Sequence, residues 1–218
     1  MTVTVQFFSF LRPLVGQNEL SMEIPAGSTV ADTLAELHGR FPRLKEAEKT
    51  TLIAIGVEFA RPTDKLREGD VISLMPPLQG GSGEDKAPAE PSGELLITDQ
   101  TIDLAEARAT TVAPDVGGIV VFWGVVRDLE EGKKIAALEY SAYREMAEHQ
   151  LRNILAEARK RWPLKRIRVV HRLGIIAVGQ ASLLVRIEAA HRGEAFAAAQ
   201  FIIDELKQKV PIWKCGVR

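Results

Sequence analysis

The residues of this chain best suited to chemistry are few and widely spaced. Lys207 and Lys214 stand on either side of Pro211. A lysine held among other cations has its ammonium form disfavoured, which brings it toward proton transfer near neutral pH. Arg127, His191 and Arg192 are anion donors, and a guanidinium can grip a phosphate through two parallel hydrogen bonds. Pro76-Pro-Leu-Gln-Gly-Gly81 suggests another kind of chemistry. Gly80 and Gly81 lack side chains, so a tail ending there can thread a narrow channel and be activated at its carboxylate. Each residue also has a plainer reading. The glycines can be a hinge, Arg127 an exposed strand end, and Lys207 a cation complementing a helix C-terminus for about 0.3–1 kcal/mol. Cys215 is the only cysteine, so no internal disulfide and no Cys-rich metal site can form. No metal and no tightly bound cofactor is expected.

These residues need elements to position them. Gln79 to Gly93 is rich in Gly, Ser, Pro and acidic residues and holds nothing large to bury, which reads as a linker. The expected organisation is a domain over 1–81, a linker over 82–93 and a second domain over 94–218. In the first, alternating apolar residues predict strands over Thr2–Phe8 and Glu19–Ile24. Ser28 or Thr29 can cap a helix with an apolar face of Val30, Leu34 and Leu37, ending before Pro42. Strands follow over Leu52–Ile55 and Val71–Met75, an order that suggests a ubiquitin-like β-grasp. The second domain offers strands over Glu94–Thr98, Gly118–Val126, Ile135–Tyr140, Ile167–Arg172 and Ser182–Ala189. Helices are expected over Asp103–Ala109, Arg144–Arg161 and Gly193–Lys209, the last with a stripe of Phe196, Ala199, Ile203 and Leu206. The connections are mostly too short for parallel crossovers, so a largely antiparallel α+β domain is expected.

Several segments together carry a family resemblance. The Gly80-Gly81 tail after a β-grasp pattern resembles the small subunit of molybdopterin synthase. Gly124-Val-Val-Arg127, Leu138-Glu-Tyr-Ser-Ala-Tyr143, His171-Arg-Leu-Gly174, Ala190-His-Arg192 and Leu206-Lys-Gln-Lys-Val-Pro-Ile-Trp-Lys214 resemble its large, catalytic subunit, in order along residues 94–214. The resemblance implies sulfur carried as a thiocarboxylate on the terminal glycine and delivered to cyclic pyranopterin monophosphate, forming the dithiolene that later holds molybdenum. It makes Lys207 and Lys214 the catalytic lysines. It places Val125, Val126, Arg127, His191, Arg192, Lys207, Lys214, Cys215 and Gly216 at the substrate. It implies as partners an enzyme that adenylates and sulfurates the carrier tail, and a second copy of the chain bound through the C-terminal domain. Where the family carries an acidic residue two places after the second lysine, this chain has Gly216.

Apolar residues make up 46% and charged residues 26% of 218, with a net charge of −1. That balance is ordinary for a globular protein and gives no whole-molecule attraction to nucleic acid or acidic membranes. No window is apolar enough to span a membrane, so a cytoplasmic protein is expected. The Gly81–Ser82 peptide bond raises a chemical question, because an amide cannot be adenylated and converted to a thiocarboxylate. Either the chain is cut after Gly81 or a separate carrier supplies the sulfur. Two competing readings stay open. A sulfur carrier for thiamine synthesis or tRNA thiolation leaves the second half unexplained, and a non-catalytic module would have the tethered tail plugging a degenerate pocket.

Overall fold

Val3, Val5 and Phe7 are buried while the residues between them are not, the alternation that makes Thr2–Phe7 strand β1. The computed structural model describes residues 1–77, 95–103, 112–130 and 132–217, and the chain divides into two compact units, Met1–Pro77 and Leu78–Arg218. The Gly80-Gly81 tail, the 82–93 segment and nearly all of the helix expected over Asp103–Ala109 lie outside the described residues.

In the first unit β1 is followed by a short helix α1 (Arg12–Val15), β2 (Glu19–Glu23), α2 (Val30–Arg40), α3 (Pro42–Ala47), β3 (Leu52–Ile55), β4 (Glu58–Phe59) and β5 (Val71–Met75). The sheet runs β2-β1-β5-β3-β4, with β1 and β5 parallel at its centre and the other pairs antiparallel. Thr29 caps α2 in a reciprocal box. Its Oγ1 accepts from the Asp32 N–H at 3.3 Å, while its own N–H donates to the Asp32 carboxylate at 2.8 Å. The Thr29 N–H and then its hydroxyl, both donating to the Asp32 carboxylate, hold that carboxyl below its ordinary range. Val30 and Leu37 of α2 share one core with Val5, Phe7 and Ile72. This is the β-grasp arrangement expected from the strand–helix order.

The second unit contains β6 (Leu95–Thr98), β7 (Gly118–Val125), β8 (Leu129–Glu130), β9 (Lys133–Lys134), β10 (Ala137–Ala142), α4 (Arg144–Arg161), β11 (Leu164–Arg172), β12 (Gly174–Ala177), β13 (Ala181–Ala189), α5 (Arg192–Lys209) and β14 (Ile212–Val217). A four-stranded sheet runs β6-β11-β13-β7, a three-stranded one β12-β10-β14, and β8 and β9 form a ribbon. Among the described strands of this unit only β6 and β11 pair in parallel, in keeping with the antiparallel expectation.

α5 packs against β13 and β7 through Ala195, Ala198, Ala199, Ile202, Ile203 and Leu206, over Val185, Ile187 and Ala189. Phe196, expected in that stripe, is instead 63% exposed. The face that closes on the sheet begins one residue earlier, at Ala195, and a one-residue step turns the side chain by about 100°. The small alanines let the helix lie close to the strands.

Candidate active site

Arg127 stands just past the C-terminal end of β7, where the chain turns into the β8–β9 ribbon. Val126 anchors that turn. Its side chain is 2% exposed among Leu138 and Ile176, its N–H donates to the Gln180 carbonyl at 3.0 Å, and its carbonyl accepts from the Gly179 N–H at 2.9 Å. Val126 therefore turns its side chain into the core, whereas Val125 is exposed. The ribbon brings Glu130 against Lys214, whose ammonium donates to the Glu130 carboxylate.

Lys214 lies on β14, opposite Tyr140 of β10, at a break in register. Cys215 is the extra residue of that break, with its Sγ 2.6 Å from Ser141 Oγ, and Gly216 faces Glu139. Chain connectivity brings Lys207 toward the same region. α5 leaves β13 through a two-residue turn and packs back along it, so its last turn returns toward the Ala181–Val125 end of the ladder.

His191 and Arg192 occupy the opposite end. They follow the last residue of β13, where Ala189 pairs with Gly118, the first residue of β7. Gly118 and Val125 are seven strand steps apart, so roughly 23 Å of β-strand separates the two cationic positions. Along α5, Arg192 and Lys207 are 15 residues apart, or about 22 Å of helix. The site expected from sequence is thus divided. Val125, Arg127, Lys214, Cys215 and Gly216 lie toward one end of the sheet, to which the last turn of α5 with Lys207 returns, while His191 and Arg192 stand at the other end of the same chain. The lysine-among-arginines expectation changes accordingly, since Lys214 has a carboxylate partner.

His191 is the N-cap residue of α5 and makes no side-chain cap, which leaves backbone N–H groups of the first turn to an outside acceptor. No side-chain hydrogen bond or ion pair to another described residue is seen for Arg127, His191, Arg192 or Lys207, and all four are exposed.

Sequence reasoning missed three contributors. Gly117 and Gly118 let the His191–Arg192 turn close on the start of β7. A Cβ on Gly117 would lie 2.3 Å from the Ala190 carbonyl oxygen, and one on Gly118 would lie 3.2 Å from Arg192 Cα. The adjacent pair of glycines was the available signal. Glu130 had none, because its partner is 84 residues away. His171, in one of the resembling segments, is buried and serves the core. Its ring meets Tyr140 edge-on at 5.6 Å, and Nδ1 donates to the Arg172 carbonyl at 3.0 Å. Burial pushes its pKa down to about 4, so it is neutral at pH 7. Among the described residues no three His, Cys, Asp or Glu side chains group as metal ligands, and no helix is long and apolar enough to cross a membrane.

A β-grasp unit and an α+β unit, with Gly80-Gly81 between them in the sequence, define a two-domain α+β class of protein. Residues 5–81 match the ThiS family, and residues 97–209 match the MoaE protein family. The chain belongs to the MoaE family, with a ThiS-type domain fused ahead of it. It is 37% identical over 150 residues to the human molybdopterin synthase catalytic subunit, spanning 66% of this chain and 80% of that protein. It is 42% identical over 120 residues to the catalytic subunit of Pyrococcus abyssi, spanning 55% of this chain and 81% of that one. Molybdopterin synthase from Staphylococcus aureus superposes with a TM-score of 0.50 at 33% identity, over 57% of this chain and 93% of that one. These likenesses support a part in molybdenum cofactor biosynthesis and an enzymatic role.

Proposed function

We propose that this chain is a molybdopterin synthase fused to its own sulfur carrier, acting on cyclic pyranopterin monophosphate. The observation that carries the reading is the coincidence of the two families on one chain, with the ThiS match ending at Gly81, the residue that would bear the sulfur. In this reading the thiocarboxylate sulfur attacks an oxygen-bearing carbon of the precursor's side chain, and the C–O bond there breaks as the oxygen takes up a proton and leaves. Water then cleaves the bond between the Gly81 acyl group and sulfur, leaving sulfur on the precursor and a carboxylate on the carrier. A second carrier repeats the exchange. Arg127, His191 and Arg192 bind the phosphate. Lys207 acts beside the glycine tail, and Lys214 moves protons at the precursor's side chain.

Two features refine the proposal. Arg127 cannot share one anion with His191 and Arg192 of its own chain across roughly 23 Å of strand. β7 is an edge strand with Ile119, Phe122 and Val125 exposed. A second copy paired antiparallel along that edge, about a two-fold axis near Val121, would bring Arg127 beside the partner subunit's Arg192. A homodimer with two shared sites follows. The other feature is covalent. The Gly81–Ser82 amide must be cut, or a separate carrier must act, before sulfur can be loaded.

The test uses two pieces. Residues 1–81 prepared as the thiocarboxylate, mixed with residues 82–218 and precursor, should form the dithiolene. Absence of product, with a known synthase active alongside, would refute the enzyme reading.

A further inference from the structure

One contact at the Arg127 end is assigned by neither the resemblance nor the family match. Lys214 donates to the Glu130 carboxylate from across the fold, over 84 residues of sequence. The pair is shielded, with side chains 31% and 18% exposed, unlike the loose surface pairs that contribute little. Glu130 is also held firmly. It pairs with Lys133 and Leu129 with Lys134 in the β8–β9 ribbon, and the Ile135 N–H donates to the Asp128 carbonyl at 3.0 Å to close the base. The ribbon begins two residues after Arg127, so the same turn that carries Arg127 also carries the carboxylate.

On the other side, Lys214 sits at the register break of β14, where the regular ladder does not dictate its direction. Gly216, two residues on, carries no side chain, and the Glu139 carboxylate lies 3.7 Å from where a Cβ would be. A lysine ammonium on its four-carbon stem samples many positions unless a fixed partner confines it. Here the fixed partner is Glu130.

We infer that Glu130 is a positioning residue for the reaction, holding the Lys214 ammonium at the end of the sheet where Arg127 stands. It acts through Lys214 and touches no substrate itself. The inference rests on the proposed synthase activity for its kinetic arm and on geometry alone for its labelling arm.

The experiment compares wild-type chain with Glu130→Gln and Glu130→Asp. Steady-state rates are measured with preformed carrier thiocarboxylate and precursor. In parallel, each protein is treated with a limiting amine-acylating reagent, and the Lys214 modification is quantified by mass spectrometry against Lys133 as an exposed reference. Glu130→Gln should lower kcat by about tenfold or more with KM within twofold, the split expected when positioning in the transition state is lost. Glu130→Asp should recover part of kcat. Lys214 acylation should rise severalfold in Glu130→Gln, with thermal melts unchanged. Wild-type kcat in Glu130→Gln, or Lys214 acylation equal to wild type, overturns the inference. If the wild-type chain itself shows no turnover, the synthase reading fails, while the acylation ratio still decides whether Glu130 holds Lys214.

Discussion

If Arg127 and Arg192 serve one site drawn from two copies, two damaging substitutions placed in different chains should repair each other. Arg127→Ala removes a cation from the Val125 end of β7, and Arg192→Ala removes one from the Gly118 end. Losing a charge-assisted hydrogen bond costs roughly 1.5–3 kcal/mol, so each variant alone should lose about ten- to a hundredfold in kcat/KM. In a mixed dimer one site carries both substitutions and the other carries neither. Random exchange makes about half of all dimers mixed, so the equimolar mixture should regain about a quarter of wild-type activity. The assay is initial dithiolene formation with saturating carrier thiocarboxylate, after the two variants are unfolded and refolded together. A control pair fixes the meaning. Arg127→Ala mixed with Lys214→Ala should regain nothing, because both residues lie at the same end of one chain and every mixed site stays damaged. The reasoning is refuted if the Arg127/Arg192 mixture does no better than the mean of its parents, or if the chain sediments as a monomer at assay concentrations.

Replacing Lys207 or Lys214 with alanine should slow single-turnover sulfur transfer by about 10²–10⁴-fold. Lys207→Arg should fail as well, since a guanidinium stays protonated. Thermal melts should barely move for Lys207→Ala, because Lys207 is exposed, and wild-type rates in both alanine variants would remove these lysines from the reaction. His171 sets a pH dependence of stability. Its folded pKa of about 4 lies below the ordinary 6.5, so the unfolded chain binds a proton first as pH falls. Its contribution is fully present above pH 6.5 and is lost progressively down to about pH 4, worth about 3 kcal/mol. Urea unfolding across that range should show the slope, and His171→Phe should flatten it.

Much of this protein could be read from local pattern. The alternation of Val3, Val5 and Phe7, the cap at Thr29 and the apolar run of β13 each stabilise their own element through side chains within a few residues. Arg144–Arg161 was legible to the residue for the same reason. The types of the site residues were legible too, since Arg127, Lys207 and Lys214 belong to recognisable segments. Three things were decided only by the tertiary fold. β14 forms because β10, some 70 residues earlier, offers it an edge, and nothing within Ile212–Val217 announces that partner. Glu130 becomes the partner of Lys214 because a two-residue ribbon happens to bring it there. The separation of His191 and Arg192 from Arg127 follows from strand register. In an antiparallel ladder the start of β7 must face the end of β13, so residues proposed to bind one anion are held at opposite ends of one sheet. Sequence spacing reports which groups are present. The distances between them are set by long-range hydrogen bonding and core packing.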